Sequence, residues 1–299
     1  MREALARGGV PQGAFALATN AGELREAVLR VGFPALVKPC DGYGSQDVAL
    51  LESPADLEAL AARVEARAGT PTDYGLGVHA SNRMLVERYL RGELIGCDVF
   101  VGEAGRVFLG VNDKRMFEPP SFAIRGSCFP SDRFDGAAIR AYAGQVLDAV
   151  EFDFGATHIE MMITGDGPFL VEVNARLVSA QIPYQMGYAF GRSLYADLVH
   201  LHLGLPLASL QPPDTPAHCA IRWLVADRAG TLASIQWPAP AGDWIRRVVQ
   251  FRQPGDRVRP PLHNGDRIAY VMAVGSSQAE AESRAEEFLA AARLHLDGS

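Results

Sequence analysis

The sequence contains few cysteines and no pair of them in CxxC spacing. The four cysteines lie far apart, each among apolar residues, at positions 40, 97, 128 and 219. Cysteines that are widely separated and lack metal-ligand spacing are typical of reduced thiols in a cytoplasmic protein. We therefore expect four unpaired core thiols and no cysteine-based metal centre.

Long basic runs and long apolar runs are also absent. The net charge is −7 and no run of Lys or Arg occurs, which excludes a nucleic-acid backbone as the expected main partner. No stretch reaches the roughly 18 apolar residues that a membrane span needs, and the charged segment 1–7 is unlike a signal peptide. These absences predict a soluble, cytoplasmic protein that binds neither nucleic acid nor a membrane.

What the sequence does contain predicts a mixed α and β protein. With 299 residues, 48% of them hydrophobic, the chain is long enough to bury one or two cores. Apolar periodicity predicts helices over 136–150 and 278–294, and short β-rich runs alternate with such patterns. A proline-rich segment, 205–216, predicts a subdomain boundary. Beyond it, strand-like stretches predict a β-rich accessory lobe over 218–226, 244–251 and 267–274.

One segment combines a turn signal with charged side chains. Two apolar-rich runs flank a Gly-Asp-Gly sequence at 165–167, which is typical of a β-hairpin. Paired residues of an antiparallel hairpin keep a constant sum of residue numbers. If Ile163 and Pro168 close the loop, give or take one residue, Glu160 therefore lies opposite Glu172.

The side chains around this pair point to a metal and phosphate site. Period-two alternation puts His158 on the face of Glu160, and Asn174 on the face of Glu172. Two carboxylates directly opposite each other are destabilising unless a positive charge is added. Mg²⁺ uses one or two carboxylates and leaves positions for water and phosphate, and Arg176 offers a planar fork of donors to a phosphate. The alternative is an ordinary hairpin whose two glutamates face solvent.

A second segment, 32–48, joins a lysine to a glycine-containing loop. An apolar strand ends in Lys38, and the loop after it contains Gly42, Gly44 and Ser45. Backbone N–H groups of such a loop approach phosphate oxygens closely, and a lysine supplies a point charge. The segment is neither a P-loop nor a dinucleotide-binding GxGxxG motif. A plain turn with an exposed lysine is the alternative interpretation.

Together with two further segments, these stretches resemble the ATP-grasp superfamily, and within it the carboxylate–amine ligases that join amino acids. The likeness covers most of the chain and includes the order of the motifs. It implies an α+β fold in which two α/β subdomains grip ATP and a β-rich accessory lobe follows. The corresponding subdomains are 1–92 with the glycine-rich loop, 93–212 with the metal site, and 213–299 as the accessory lobe.

The first further segment, 84–93, resembles the family's hinge between two subdomains. By this resemblance Glu87 accepts the adenine amino group, and the backbone of Arg88, Tyr89 and Leu90 faces the ring. Glu93 then corresponds to the ribose ligand, although one residue that the family usually has before this glutamate is missing here. Without the resemblance, Glu87 and Glu93 read as surface residues of an edge strand.

The second further segment, 110–115, resembles the family strand whose lysine approaches the nucleotide phosphates, so Lys114 is a second phosphate-binding candidate. By spacing alone it is equally well a charged hairpin end. The resemblance also makes Glu160, Glu172 and Asn174 the ligands of Mg²⁺, or of Mn²⁺ in its place. Arg176 corresponds to the arginine near the transferred phosphoryl group, and Lys38, Gly42, Gly44 and Ser45 to the groups around the ATP phosphates.

The chain departs from the family pattern in two places. After Asn-Ala-Arg many of these enzymes continue with glycines, whereas this chain has Leu-Val-Ser-Ala-Gln over 177–181, so Ser179 and Gln181 are expected to help shape the acceptor pocket. Met1 coincides with the helix that in the family follows a separate N-terminal domain. We expect that a second chain or a homodimer partner completes the substrate cleft, that the cleft is more open, or that a longer protein contains this chain.

The resemblance implies a reaction on two small molecules, a carboxylate and an amine. The carboxylate attacks the ATP γ-phosphate to give an acyl phosphate and ADP, and the amine then displaces phosphate to form an amide. Such chemistry depends on positioning and charge rather than on a nucleophilic side chain. Two alternatives remain open from the sequence, namely a non-catalytic nucleotide-binding subunit and a carboxylase of the same superfamily.

Overall fold

Side-chain caps at the helix ends show how the sequence sets its local structure. The Asn20 side chain accepts the backbone N–H of Glu23, and Ser53 forms a reciprocal capping box with Asp56. The computed structural model describes residues 1–42, 47–67, 83–118, 121–239 and 242–297. Within these ranges the α-helices are α1 (Arg2–Arg7), α2 (Ala21–Val31), α3 (Pro54–Ala66), α4 (Gly136–Ala149), α5 (Ile182–Phe190), α6 (Leu194–His202) and α7 (Gln278–Ala290).

The strands of the described ranges fall into three sheets. In chain order they are β1 (Phe15–Ala18), β2 (Ala35–Pro39), β3 (Ala49–Leu51), β4 (Met84–Arg88), β5 (Glu93–Gly102), β6 (Gly105–Met116), β7 (Ile124–Phe129), β8 (Gly155–Thr164), β9 (Gly167–Asn174), β10 (His218–Leu224), β11 (Gly230–Gln236), β12 (Ile245–Gln250), β13 (Arg257–Val258), β14 (Ala269–Gly275) and β15 (Arg293–Asp297). Two short 3₁₀ helices cover Leu207–Leu210 and Asn264–Asp266.

An eight-stranded antiparallel sheet forms the centre, in the order β12-β14-β10-β7-β6-β5-β8-β9. A four-stranded sheet, β1-β4-β2-β3, contains the N-terminal strands, and a three-stranded sheet, β13-β11-β15, contains C-terminal ones. The β-hairpin predicted at 158–176 is β8 and β9, at one edge of the central sheet. This arrangement confirms the predicted α+β class.

Alternation along β5 explains how the central sheet has a core on both faces. Ile95 and Val99 pack with the apolar side of α4, whereas Phe100 packs with residues of α5 and α6. Successive side chains of a strand point to opposite faces, so one strand serves both cores. Asp98 is on the Phe100 face and is fully buried. A carboxylate buried in that position requires a hydrogen-bonding or charged partner.

The predicted elements agree with the observed ones apart from their ends. The helix predicted over 136–150 is α4, and the helix predicted over 278–294 is α7, which ends at Ala290 because the chain then enters β15. The three predicted C-terminal strands are β10, β12 and β14. These strands continue the central sheet, while β11, β13 and β15 form the separate small sheet. The division into three subdomains stays a prediction.

The cysteine prediction is wrong at one position. Cys97, Cys128 and Cys219 are buried and unpaired, and burial raises the pKa of each thiol, so these three are inert core residues. Cys40 is exposed at the end of β2, because the chain there leaves the sheet for the glycine-containing loop. In the described part of the chain, no helix is both long and apolar enough to span a bilayer.

Tyr142 on α4 ties the N-terminal segment to the hairpin. Its hydroxyl donates to the Pro11 carbonyl at 2.6 Å and accepts the Leu170 N–H at 2.8 Å. Tyr142→Phe leaves that buried N–H without an acceptor, so we expect the free energy of unfolding to fall by about 1–3 kcal/mol. Urea denaturation measures the change. Tyr195→Phe is the control, because Tyr195 is exposed and its hydroxyl makes no hydrogen bond within the described residues. An equal loss in both variants would contradict the assignment.

Candidate active site

The charged hairpin has the register that the sequence predicted. Ile163 pairs with Pro168, and Glu160 pairs with Glu172. The two sums of residue numbers differ by one because the register shifts between Glu160 and Met161. A bulge of this kind adds one residue to one strand and re-aims the side chains beside it. The margin of one residue in the prediction is therefore explained by the bulge.

On β9, Glu172, Asn174 and Arg176 form a chain of hydrogen bonds. The Asn174 amide donates from Nδ2 to Glu172 Oε1 at 2.9 Å, and Arg176 donates from Nη2 to Asn174 Oδ1 at 3.0 Å. Arg176 is exposed at the end of the strand, and its Nη1 donates to the Leu177 carbonyl. The guanidinium thus lies beside the carboxylate pair with one edge turned to solvent, where it can meet an anionic ligand.

Lys114 reaches the hairpin from β6, across the intervening strand β5. Its ammonium donates to Glu160 Oε1 and lies 3.2 Å from His158 Nε2. The Lys114 side chain is 5% exposed and that of Glu160 is 21% exposed, so this pair is partly shielded from water. The predicted phosphate lysine and the predicted metal ligand are therefore direct neighbours.

A buried aspartate and histidine support this pair, and sequence reasoning assigned neither of them a role. His158 Nδ1 lies 3.0 Å from Asp98 Oδ1, while His158 Nε2 lies 3.3 Å from Glu160 Oε1. Asp98 and His158 are 1% and 2% exposed. Gly96 makes room for the ring, because a Cβ there would come within 2.5 Å of His158 Cε1. The His158 imidazole thus lies between the buried Asp98 carboxylate on one side and the ion pair of Lys114 and Glu160 on the other.

These contacts set the charge state of the group. Burial alone would raise the pKa of Glu160, but the Lys114 ammonium and the hydrogen bond with His158 hold it well below its usual range. Burial and the Lys114 ammonium would lower the pKa of His158, yet the charge and hydrogen bond of Asp98, together with the hydrogen bond to Glu160, raise it. Glu160 is therefore ionised at neutral pH.

His158→Gln is expected to weaken the apparent affinity for Mg²⁺ by about 10- to 100-fold, because partners of a ligand orient its oxygen atoms. The rate of ADP release at rising Mg²⁺ concentration measures this, and saturating Mg²⁺ should restore most of the rate. His200→Gln is the matched control, since His200 is exposed on α6. An unchanged Mg²⁺ dependence in His158→Gln would contradict the supporting role.

The second group of predicted residues lies between the N-terminal sheet and the hairpin. Lys38 Nζ is 2.8 Å from Glu87 Oε2 and donates to the Val171 carbonyl at 3.3 Å. Arg2, which the sequence did not single out, is ion-paired with Glu87 and donates to the same carbonyl at 3.1 Å. Because Val171 directly precedes Glu172, the residues predicted to bind adenine and phosphate meet the hairpin of β8 and β9 at one place.

The hinge residues are placed where β4 ends. The backbone N–H groups of Arg88 and Tyr89 donate to the carbonyls of Ala14 and Pro34, at 2.9 Å and 3.0 Å, so both are already used within the protein. Leu90 follows and is half-buried. Their predicted contact with an adenine ring stays a prediction.

Glu93 is separated from the other predicted groups. It begins β5, its side chain is 54% exposed, and it forms an ion pair with Arg133. Gly42 is half-buried after β2, and Gly44 and Ser45 lie outside the described residues. The contacts described above connect the predicted residues Lys38, Glu87, Lys114, Glu160, Glu172, Asn174 and Arg176. Glu93 takes part in none of these contacts and pairs with Arg133 instead.

The donor set has the chemistry that a hard cation such as Mg²⁺ prefers. It offers two carboxylates and one amide oxygen, and Oε2 of both Glu160 and Glu172 has no hydrogen-bond partner within the described residues. Mg²⁺ commonly takes only one or two carboxylates and completes its shell with water and phosphate. Among the described residues there is no cluster of three or more His, Cys, Asp or Glu arranged as a closed metal cage. A metal ion at such an open site would complete its coordination with oxygens of water and of a bound phosphate.

The same fold occurs in solved structures of ligases. The L-amino acid ligase from Bacillus licheniformis superposes with a TM-score of 0.83 over 99% of this chain and 72% of that one, at 18% sequence identity. The biotin carboxylase domain of 2-oxoglutarate carboxylase from Hydrogenobacter thermophilus, whose structure was solved with MgADP, superposes with a TM-score of 0.72 over 98% of this chain and 65% of that one, at 17% identity. The protein therefore shares the fold of these two solved structures.

Two family models match the sequence. The model of the ATP-grasp domain matches residues 31–183, just over half of the chain, and the model of the L-amino acid ligase C-terminal domain 2 matches residues 222–297. The chain belongs to the ATP-grasp family.

The sequence is also similar to two known proteins that are longer than this chain. The uncharacterized protein y4rH of Sinorhizobium fredii is 31% identical over 295 residues, which are 94% of this chain and 57% of that protein. Carnosine synthase 1 of Gallus gallus is 27% identical over 242 residues, which are 77% of this chain and 26% of that protein. The chain thus spans less than two thirds of the length of either relative.

Proposed function

We propose that the protein is an ADP-forming ligase that joins a carboxylate to an amine. The observation that carries this proposal is the pairing of Glu160 with Glu172 across the hairpin, with Lys114 bonded to the first and Arg176 joined to the second through Asn174. Two anionic oxygen ligands between two cationic side chains suit a phosphoryl group and its metal ion.

The reaction has two steps in which atoms and charges balance. A carboxylate oxygen attacks the γ-phosphorus of ATP, and the bond to the β–γ bridging oxygen breaks, so that an acyl phosphate and ADP form. The amine nitrogen then attacks the acyl carbon, the bond to the phosphate oxygen breaks, and inorganic phosphate leaves as the nitrogen loses a proton. The product is an amide.

Each residue of the site has a part in this proposal that its position supports. Lys114 and Arg176 offset the negative charge that spreads over the transferred phosphoryl group, and Lys38 holds the nucleotide phosphates. Glu87 accepts the adenine amino group once Lys38 turns to its phosphate. When bound at Glu160, Glu172 and Asn174, Mg²⁺ supplies a Lewis acid for the phosphate oxygens.

The substrates proposed are amino acids or molecules like them. The support is the match of residues 222–297 to the C-terminal domain model of L-amino acid ligases, together with the similarity to carnosine synthase 1. The Gln181 side-chain oxygen Oε1 accepts the Tyr270 hydroxyl at 2.9 Å. A cavity of about 180 Å³ opens at Gln181, with aromatic and polar walls formed by Ala180, Gln181, Trp223, Phe251, Arg252, Asn264, Gly265 and Arg267.

A screen of ADP and phosphate release tests the proposal. The chain is incubated with Mg·ATP and pairs of amino acids, and the products are identified by mass spectrometry. ADP formation that needs both a carboxylate and an amine, with an amide product, is expected. ADP formation that depends on bicarbonate would instead indicate a carboxylase, and ATP binding without turnover would indicate a nucleotide-binding subunit.

A further inference from the structure

A second cavity lies on the C-terminal part of the chain, beside β11 and β13. Its volume is about 350 Å³, and three of its wall residues are arginines, Arg252, Arg257 and Arg259, against a single acidic residue, Asp266. Small apolar groups complete the wall at Ala229, Gly230 and Val258. Arg252 also lines the smaller cavity at Gln181, but none of the residues proposed to hold ATP, the metal ion or the phosphoryl group lines this one.

Asp266, the single acid of the wall, already accepts hydrogen bonds from three donors. Asp266 Oδ1 accepts from Arg259 Nε at 2.9 Å, and Oδ2 accepts the backbone N–H groups of Leu262 and His263 at 3.0 Å and 3.2 Å. Burial would raise the pKa of Asp266, but these donors lower it, so the group is ionised and its charge is matched by Arg259. Neither Arg252 nor Arg257 forms an ion pair with it.

The other two arginines have no counter-charge. Within the described residues, no carboxylate lies within ion-pair distance of Arg252 or Arg257. Arg252 donates from Nη2 to the Gly265 carbonyl at 2.6 Å, which fixes its guanidinium without neutralising it. In a chain of net charge −7, two unmatched positive charges in one concave wall create a local field that attracts anions.

We propose that this cavity, defined by Arg252, Arg257 and Arg259, binds a small molecule through a phosphate group. This binding site is additional to the proposed ligase activity, because binding there requires neither ATP nor the residues proposed to hold Mg²⁺.

Charge and size favour a phosphate over a single carboxylate. A phosphate monoester carries about −1.5 to −2 charge at neutral pH, which matches the two unpaired guanidinium groups, whereas one carboxylate would leave a charge unmatched. Both guanidinium groups present planar forks that suit phosphate oxygens. The volume exceeds what a bare phosphate needs and lies within the range of small-molecule pockets. The apolar groups of Ala229 and Val258 then contact the organic part.

Calorimetry on the full chain tests the proposal. Inorganic phosphate and glycerol 3-phosphate are titrated at constant ionic strength, with Mg²⁺ and a non-hydrolysable ATP analogue present to fill the ATP cleft. Both probes should bind saturably to the wild type. Arg257→Gln should weaken binding about tenfold, because one charged hydrogen-bonding partner is lost.

Matched variants separate this site from a general effect of charge. Arg293→Gln removes an exposed arginine from the same small sheet, away from the cavity, and should bind as the wild type does. Arg257→Lys keeps the positive charge but loses the planar fork of guanidinium donors. Its affinity for phosphate should therefore lie between those of Arg257→Gln and Arg293→Gln. Comparable melting temperatures show that all variants are folded.

Three results would overturn the proposal. They are equal affinity in Arg257→Gln and Arg293→Gln, absence of saturable phosphate binding while the ATP analogue fills the ATP cleft, and binding of succinate as tight as that of phosphate. Because binding is read without turnover, the result does not depend on whether the ligase assay finds a product.

Discussion

Replacing Glu172 by glutamine is expected to slow ADP release about 10²- to 10³-fold, which is the usual cost of losing one group that stabilises transition-state charge. Glutamine keeps the shape of the side chain, and its amide oxygen can still accept from Asn174, so the hairpin should stay intact. What disappears is the negative charge opposite Glu160. The rate is measured with Mg·ATP and the carboxylate and amine that support turnover of the wild type.

Asp166→Asn is the control for this substitution. It also converts a carboxylate to an amide in the same hairpin, but Asp166 lies exposed in the turn and faces no predicted ligand. Its rate should stay within about twofold of the wild type, as expected for a surface change. Wild-type ADP release by Glu172→Gln would show that the metal assignment is wrong.

Replacing Lys114 by methionine is expected to lower kcat by a similar factor, about 10²- to 10³-fold. Methionine fills the same space without the ammonium that lies between Glu160 and His158. If Lys114 offsets charge on the transferred phosphoryl group, the loss falls mainly on kcat rather than on the KM for ATP. Steady-state kinetics over a range of ATP concentrations separates the two parameters.

Lys114→Arg shows whether charge alone is sufficient. Arginine restores the positive charge but not the compact ammonium, so an intermediate rate is expected. Removing one partner of a shielded ion pair also costs stability, and circular dichroism must show that Lys114→Met is folded. A folded Lys114→Met with wild-type kcat would remove Lys114 from the proposed chemistry.

The sequence predicted those parts of the site that depend on local geometry. The Gly-Asp-Gly turn and the alternation of two short strands were sufficient to place Glu160 opposite Glu172 and to put His158 and Asn174 on their faces. Turn chemistry and period-two alternation act over a few residues, and therefore they can be read from one sequence. The class of the fold followed from the same patterns and from the family resemblance.

The parts that the sequence did not predict depend on long-range pairing. Asp98 meets His158 because β5 pairs with β8, strands separated by about sixty residues, and no local signal sets that register. Arg2 reaches Glu87 from helix α1, which is far from Glu87 in the sequence. Likewise, the hydrophobic pattern of β10 does not state which sheet it joins. These contacts are decided by packing of the whole chain.

Lysine occurs only twice in this sequence, at positions 38 and 114, and both ammonium groups lie in ion pairs at the proposed ATP site. The chain therefore contains no other side-chain primary amine in its 299 residues. A reagent that acylates amines can modify only these two side chains and the α-amino group. Mass spectrometry of the labelled protein thus reports directly on the accessibility of the nucleotide cleft, without any engineered probe.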